Sequence, residues 1–207
     1  MFSSIDGEIN DYYQGRPSFF IRLQGCNLSC FYCDTKEAQS EIGGQYLNIG
    51  TILEKIYESK LTKITITGGE PLLQKNVIRL IEALPEYDIS IETNGTIANT
   101  DLLNIKGLSI IADVKLPSTG IKDSINKEWI KQVNRNGGWI KFVIAYWNDF
   151  DAAVKCINSL NLYRNKVAIS PCFPLQYPLE HLLDEMLKAN LQDAVLNIQI
   201  HKLVNLK

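Results

Sequence analysis

The chain has 207 residues, 45% hydrophobic and 21% charged, a balance that fits one folded domain with a sizeable buried core. A net charge of −2 gives no basic footprint for nucleic acid, and no apolar run approaches the ~18 residues of a membrane span. Five cysteines, three of them clustered, argue for a reducing, cytoplasmic setting, and residues 1–8 lack the basic-then-apolar pattern of a signal peptide.

In chain order, a short extended piece is expected around Ile5 to Glu8, followed by a turn at Gly15-Arg16-Pro17. Residues 18–23 read as a first buried strand, and a cysteine-rich loop leaves its C-terminal end. Apolar spacing then predicts a helix over 51–59, a strand over 63–67, a helix over 76–84 and a strand over 89–93. A helical turn at 100–103 precedes a strand at 108–113. Further on come helices at 127–133, 150–160 and 179–189, alternating with strands at 139–145, 167–170 and 195–200. Near-continuous apolar strands alternating with helices mean βα units around a parallel sheet buried on both faces. With no linker, low-complexity tract or repeat, residues 1–207 are expected to form one α/β domain of six or so units. That length is short of the ~250 residues of a closed eightfold barrel, so a partial, open (β/α) barrel is expected.

Unusual residues recur where predicted strands end. They are the cysteine loop, Thr67-Gly68-Gly69-Glu70-Pro71, Glu92-Thr93-Asn94-Gly95, Asp113-Val114-Lys115 and Ser170-Pro171. This is the face where α/β barrels place their chemistry. Any one of them alone would be an ordinary turn or cap; several on one face point to a site. Gly68-Gly69 lets backbone approach a ligand closely. It does not read as a phosphate loop, since Glu70 has the wrong sign and the P-loop lysine is absent. The bland reading of Asp113 and Lys115 is a surface ion pair worth ~0–1 kcal/mol.

The cysteine loop is Cys26-Asn27-Leu28-Ser29-Cys30-Phe31-Tyr32-Cys33, a C-x3-C-x2-C triplet. A structural zinc site closes with a fourth nearby Cys or His. Here His181, His201, Cys156 and Cys172 all lie far along the chain. Three close thiolates with one position open suit a [4Fe-4S] cluster whose unique iron binds a small molecule.

In its frame Gly25-Cys26-Asn27-Leu28 to Tyr32-Cys33-Asp34-Thr35, the triplet resembles the radical S-adenosylmethionine (SAM) superfamily. Together with Phe2-Ser3-Ser4-Ile5-Asp6-Gly7-Glu8, Phe20-Ile21-Arg22-Leu23-Gln24-Gly25, the Gly-Gly-Glu-Pro and Glu-Thr-Asn-Gly segments and Gln199-Ile200-His201-Lys202, it resembles the 7-carboxy-7-deazaguanine synthase family. The resemblance covers the whole chain. It implies a trimmed open barrel of the radical SAM type and a lyase of queuosine (7-deazapurine) biosynthesis. Such an enzyme contracts 6-carboxy-5,6,7,8-tetrahydropterin to 7-carboxy-7-deazaguanine with loss of ammonia. The implied cofactors are a [4Fe-4S] cluster, SAM and Mg²⁺, with a flavodoxin- or ferredoxin-like reductant and a homodimeric state.

Carried over by residue, the resemblance implies Cys26, Cys30 and Cys33 as cluster ligands and Thr35 as a Mg²⁺ ligand. SAM contacts would come from Tyr32, Asp34, Gly68, Gly69, Glu70, Asp113, Lys115 and Ser170. Substrate contacts would come from Ile5, Asp6, Gly7, Glu8, Arg22, Thr67, His201 and the terminal carboxylate of Lys207. No side chain is assigned as a catalytic acid or base. The chain departs from the common family pattern at Asp6 (usually Gln), Ile9 (usually Gly), Asp113-Val114-Lys115 (usually Ser-Pro-Lys) and Ser170 (Gln in some members). Two other readings are an activase that makes a glycyl radical on a partner protein and a metal-binding protein without enzymatic activity. The activase needs an open groove, whereas the tail from Gln199 to Lys207 is expected to form a lid. Among the remaining residues, His181 is expected in solvent, Cys156 and the tryptophans in core or interface, and Cys172 as a free thiol near the active face.

Overall fold

A computed structural model describes residues 1–122, 125–174, 178–204 and 206. One eight-stranded sheet runs in strict chain order. Its strands are β1 (Phe2–Ile5), β2 (Pro17–Leu23), β3 (Lys63–Gly68), β4 (Asp88–Thr93), β5 (Leu108–Val114), β6 (Trp139–Ile144), β7 (Val167–Pro171) and β8 (Val195–Leu196). β1 pairs antiparallel with β2, and every later pairing is parallel. No ladder joins β8 back to β1 among the described residues, so the barrel is open, as the length implied. The helices are α1 (Ile49–Ser59), α2 (Val77–Glu82), α3 (Lys127–Arg135), α4 (Trp147–Leu160), α5 (Leu179–Lys188) and α6 (Ile200–Leu203). No helix among the described residues is long and apolar enough to cross a membrane.

The helices start where side chains satisfy free backbone donors. Asn48 accepts from Thr51 N at 2.8 Å at the head of α1, and Asn126 accepts from Trp129 N at 3.1 Å at the head of α3. Asp149, in the first turn of α4, accepts from Ala145 N, Tyr146 N and Ser118 N at 2.9–3.1 Å. That carboxylate starts α4 three residues earlier than the apolar spacing implied, at Trp147, and ties it to the loop after β5.

The strands are buried on both faces, but they are not uniformly apolar. Phe19, Ile21, Ile64, Ile66, Ile89, Ile91, Ile110, Ala112, Ile140, Phe142, Val167 and Ile169 all join the core under the helices. The alternate residues (Ser18, Arg22, Lys63, Thr65, Thr67, Ser90, Glu92, Ser109, Asp113, Lys141 and Ser170) therefore share the opposite, inner face. The expected run of apolar residues is in fact a period-two pattern whose inner face mixes these polar groups with Phe20, Ile111, Trp139 and Ala168.

Both ends of the chain also differ from the expectation. The first strand is Phe2–Ile5, and the chain leaves the ladder after Ile5. The last strand stops at Leu196 instead of continuing to 200, and a short helix, α6, follows. One interaction pulls each segment inward. Asp6 is 1% exposed; its Oδ2 lies 3.0 Å from Lys63 Nζ and accepts from Thr65 Oγ1 at 2.9 Å. Glu8 accepts from the side chains of Asn197 (2.9 Å) and Gln199, drawing the tail off the sheet.

Lys63 is fully buried, so its ammonium is the main compensation for the Asp6 charge. Lys63→Met leaves that carboxylate buried with only neutral donors, the Thr65 and Ser90 hydroxyls and the Glu8 N–H. It is expected to cost about 3–5 kcal/mol in unfolding free energy. Denaturant titration of the two proteins checks this, and a loss under ~1 kcal/mol contradicts it.

Candidate active site

The cysteine loop leaves β2 at Leu23 and is fixed at its base and apex. Gly25 N donates to Ala38 O at 2.9 Å, Cys26 N to Gln39 O at 3.0 Å and Phe31 N to Thr119 O at 2.9 Å. The two glycines at the end of β3 lie against this base. A Cβ on Gly68 would sit 2.1 Å from Leu23 O, and one on Gly69 2.2 Å from Gly25 O. Gly68 also has φ +151°, so both positions require glycine for close passage of protein backbone, while still lining the cavity.

Cys26, Cys30 and Cys33 all line that cavity, partly buried, with free thiols. Burial raises the Cys30 thiol above its ordinary pKa, and Lys115 opposes the shift. Among the described residues no three His, Cys, Asp or Glu side chains gather around a single ion. Three soft thiols lining one cavity suit a polynuclear iron–sulfur cluster.

Tyr32, Asp34, Asp113 and Lys115 line the cavity with the cysteines. Asp113 Oδ2 lies 2.9 Å from Lys115 Nζ and 3.6 Å from Lys141 Nζ, with all three side chains under 20% exposed, so this is not a surface pair. Asp113 Oδ1 is buried without a partner, an acceptor left for a ligand donor. Burial lowers the Lys115 ammonium, but Asp113 and Cys30 outweigh it and raise its pKa overall. Desolvation raises the Asp34 carboxyl, yet Lys202 and Thr35 hold it down at about 2. Thr35 Oγ1 donates to Asp34 at 3.0 Å and accepts from Arg22 Nη1 at 3.1 Å. A hydroxyl has a second lone pair, so Thr35 keeps one free for a metal ion.

Two of the residues expected here do not face the cavity. Glu70 is fully buried, and its carboxylate accepts from Leu72 N (2.9 Å), Thr93 Oγ1 (2.8 Å) and Asn94 N (2.6 Å). It braces the ends of β3 and β4 from below. Ser170 is fully buried too, and its hydroxyl accepts from Asn197 Nδ2 at 2.7 Å.

Gly7, Glu8, Arg22, Thr67 and His201 line the same cavity. Glu8 Oε1 lies 3.2 Å from Lys141 Nζ. Ile200 N donates to Gly7 O at 3.3 Å, and a Cβ on Gly7 would collide with the His201 ring, so the two chain ends pack directly together here. Burial lowers the His201 pKa, with Glu8 opposing. Ile5 and Asp6 are not in this wall: Ile5 ends β1, and Asp6 is sealed against Lys63. Lys207 lies outside the described residues.

The cavity also includes four residues to which no ligand contact is assigned from the sequence: Glu92, from the strand-end group; Cys172, the thiol expected near this face; and Lys141 and Lys202. Glu92 accepts from Thr67 Oγ1 at 2.9 Å. Burial, and then the charges of Glu8 and Asp6, raise its pKa to about 7. Lys202 pairs with Asp34. The signal for Glu92 and Lys141 was present in the strand alternation, since each shares the inner face with Arg22, Thr67 and Asp113.

Residues 20–142 match the family model for the radical SAM superfamily. The chain is 36% identical to a 7-carboxy-7-deazaguanine synthase of Clostridium acetobutylicum, covering 98% of this chain and 93% of that one. It is also 36% identical to the 7-carboxy-7-deazaguanine synthase of Methanospirillum hungatei, over 100% and 84% of the respective chains. In fold it is similar to QueE from Escherichia coli, with a TM-score of 0.71 at 21% identity over 96% of this chain and 91% of that one.

Proposed function

The chain belongs to the radical SAM superfamily and, within it, to the 7-carboxy-7-deazaguanine synthase family, and from that premise we propose how its residues divide the work. It is a lyase that contracts the ring of 6-carboxy-5,6,7,8-tetrahydropterin to give 7-carboxy-7-deazaguanine with loss of ammonia, in 7-deazapurine biosynthesis. When bound, the [4Fe-4S] cluster supplies the electron for reductive cleavage of SAM to a hydrogen-abstracting radical, and Mg²⁺ supplies a Lewis acid for the substrate carboxylate.

Cys26, Cys30 and Cys33 would hold the cluster, and Thr35 would offer a neutral oxygen to Mg²⁺. Tyr32, Asp34, Gly68, Gly69, Asp113 and Lys115 form the SAM side. Arg22 offers its planar fork to the pterin carboxylate. Glu8, already aligned by Lys141, Asn197 and Gln199, retains lone-pair capacity for the N–H edge of the pterin. Glu92, with its pKa near 7, is the carboxyl suited to hold or release a proton at working pH. His201 and the tail around it cover the substrate side and keep water out. The whole chain works as one domain, in the cytoplasm, as a homodimer fed by a flavodoxin- or ferredoxin-like protein.

The observation that carries this reading is the meeting of Glu8, Arg22 and His201, from the two ends of the chain, in the same cavity as the cysteine triplet. Such a two-ended pocket suits a small substrate rather than a partner polypeptide. Anaerobic incubation with the carboxytetrahydropterin, SAM and reductant, read by product mass, tests it. SAM cleavage without the deazaguanine product would overturn the substrate. Thr35→Ala is expected to weaken the dependence of turnover on Mg²⁺ while SAM cleavage persists. A Mg²⁺ titration that superimposes on the parent's would make Thr35 only the hydroxyl link between Arg22 and Asp34.

A further inference from the structure

Lys141 is 6% exposed and sits in the middle of β6, in register with Asp113 of β5. Its ammonium lies 3.2 Å from Glu8 Oε1 and 3.6 Å from Asp113 Oδ2. One cation thus joins a carboxylate of the pterin side to a carboxylate of the SAM side. Both neighbours are otherwise well held. Lys115 stands 2.9 Å from the same Asp113 oxygen, and Asn197 Nδ2 donates to Glu8 Oε2 at 2.9 Å. The unpartnered group is Asp113 Oδ1, which is left for an incoming ligand.

We propose that Lys141 is a positioning residue that couples the two halves of the cavity, so that a ligand bound on one side tightens binding on the other. The inference rests on the division of the site made above. A donor that arrives at Asp113 Oδ1 satisfies part of that carboxylate's demand. Lys141 is then drawn toward Glu8 and fixes it in one orientation. The Lys141–Glu8 pair then strengthens, so Glu8 meets the pterin held more tightly than Asn197 and Gln199 alone hold it, and less residual freedom is lost when the second ligand binds. Coupling of this kind is reciprocal, and the same factor applies in both directions. Merely neutralising buried acids would predict something else: loss of Lys141 would weaken each ligand alone and leave the ratio between bound states untouched.

The test is anaerobic calorimetry on the cluster-loaded protein without reductant, so that SAM is not consumed. The Kd of the carboxytetrahydropterin is measured with and without saturating SAM. In the parent, SAM is expected to tighten the pterin about tenfold, within the usual range of such couplings. In Lys141→Met the ratio is expected to fall to about one, and in Lys141→Arg, which keeps the charge and spans both carboxylates, it is expected to survive. Asp113→Asn cuts the other link while leaving the Lys141–Glu8 contact, and should also bring the ratio to about one. It decides the matter if Lys141→Met does not fold. A parent ratio near one, or a parent-like ratio in both Lys141→Met and Asp113→Asn, refutes the coupling and leaves the function standing. A parent that binds no pterin under either condition overturns the substrate assignment and the proposal with it.

Discussion

Replacement of Cys26, Cys30 or Cys33 by alanine abolishes iron binding, while Cys156→Ala and Cys172→Ala retain it. Three thiolates are the minimum set for a [4Fe-4S] cluster with one open iron, and no Cys or His close by in the chain can substitute for a lost one. The two control positions differ from the triplet in instructive ways. Cys156 packs against the outer core, and burial pushes its thiol up to about 11, so it resists forming the thiolate a metal needs. Cys172 lines the same cavity but follows β7 rather than belonging to the cysteine loop, and makes the sharper control. Iron and sulfide content after anaerobic reconstitution reads the result. Equal iron in all five variants would remove the cluster assignment.

Arg22→Ala is expected to lose roughly 30- to several-thousand-fold in pterin affinity while SAM still binds. Removing one member of a desolvated, hydrogen-bonded charge pair costs about 2–5 kcal/mol, which is that range in Kd. Arg22 is held in place before any ligand arrives. Its guanidinium lies 5.5 Å from the centre of the Phe2 ring, and it donates to Thr35 Oγ1. Lysine at this position restores the charge but not the planar fork, so Arg22→Lys should recover only a small part of the loss. Titration of the pterin into SAM-loaded protein measures both variants. Parent-like affinity in Arg22→Ala would place the substrate carboxylate elsewhere in the cavity.

Much of this site was legible in the sequence because its chemistry sits in contiguous motifs. The triplet, Gly68-Gly69 and Asp113 to Lys115 each end a strand whose apolar spacing is plain, so the face they share follows from the βα order. What was not legible depends on contacts between distant segments. Glu70 stands beside the glycines in the chain, yet its carboxylate is consumed by backbone N–H groups of the neighbouring loop and of Asn94. Asp6 lies in the same short run as Glu8, but a lysine from β3 captures it. Ser170 is claimed by Asn197. Only the fold reveals those partners. Glu92 was noted only as part of its strand-end group, and Lys141 was overlooked for another reason. Its strand was read as apolar throughout, whereas strict alternation would have placed Lys141, like Glu92, beside Arg22 and Thr67.

The gap between β8 and β1 is closed by side chains rather than by a ladder. Gln14 Nε2 donates to Gly7 O, Asn197 Oδ1 and Ile198 O at 2.6–3.0 Å, and Glu8 takes Asn197 and Gln199. Apart from the Gln14–Gly7 bond, these contacts join residues about 180–190 positions apart, among the most distant in the chain. During synthesis on the ribosome, the segments of β1 through β7 are made before residues 197–202 exist. Glu8 has no tail to hold it in that interval, and the mouth beside the cysteine loop stands open. Closure of the seam is then a late, high-contact-order event, set apart in time from formation of the sheet. Cluster insertion can precede it, so order of assembly, and not only final geometry, is written into where the two ends meet.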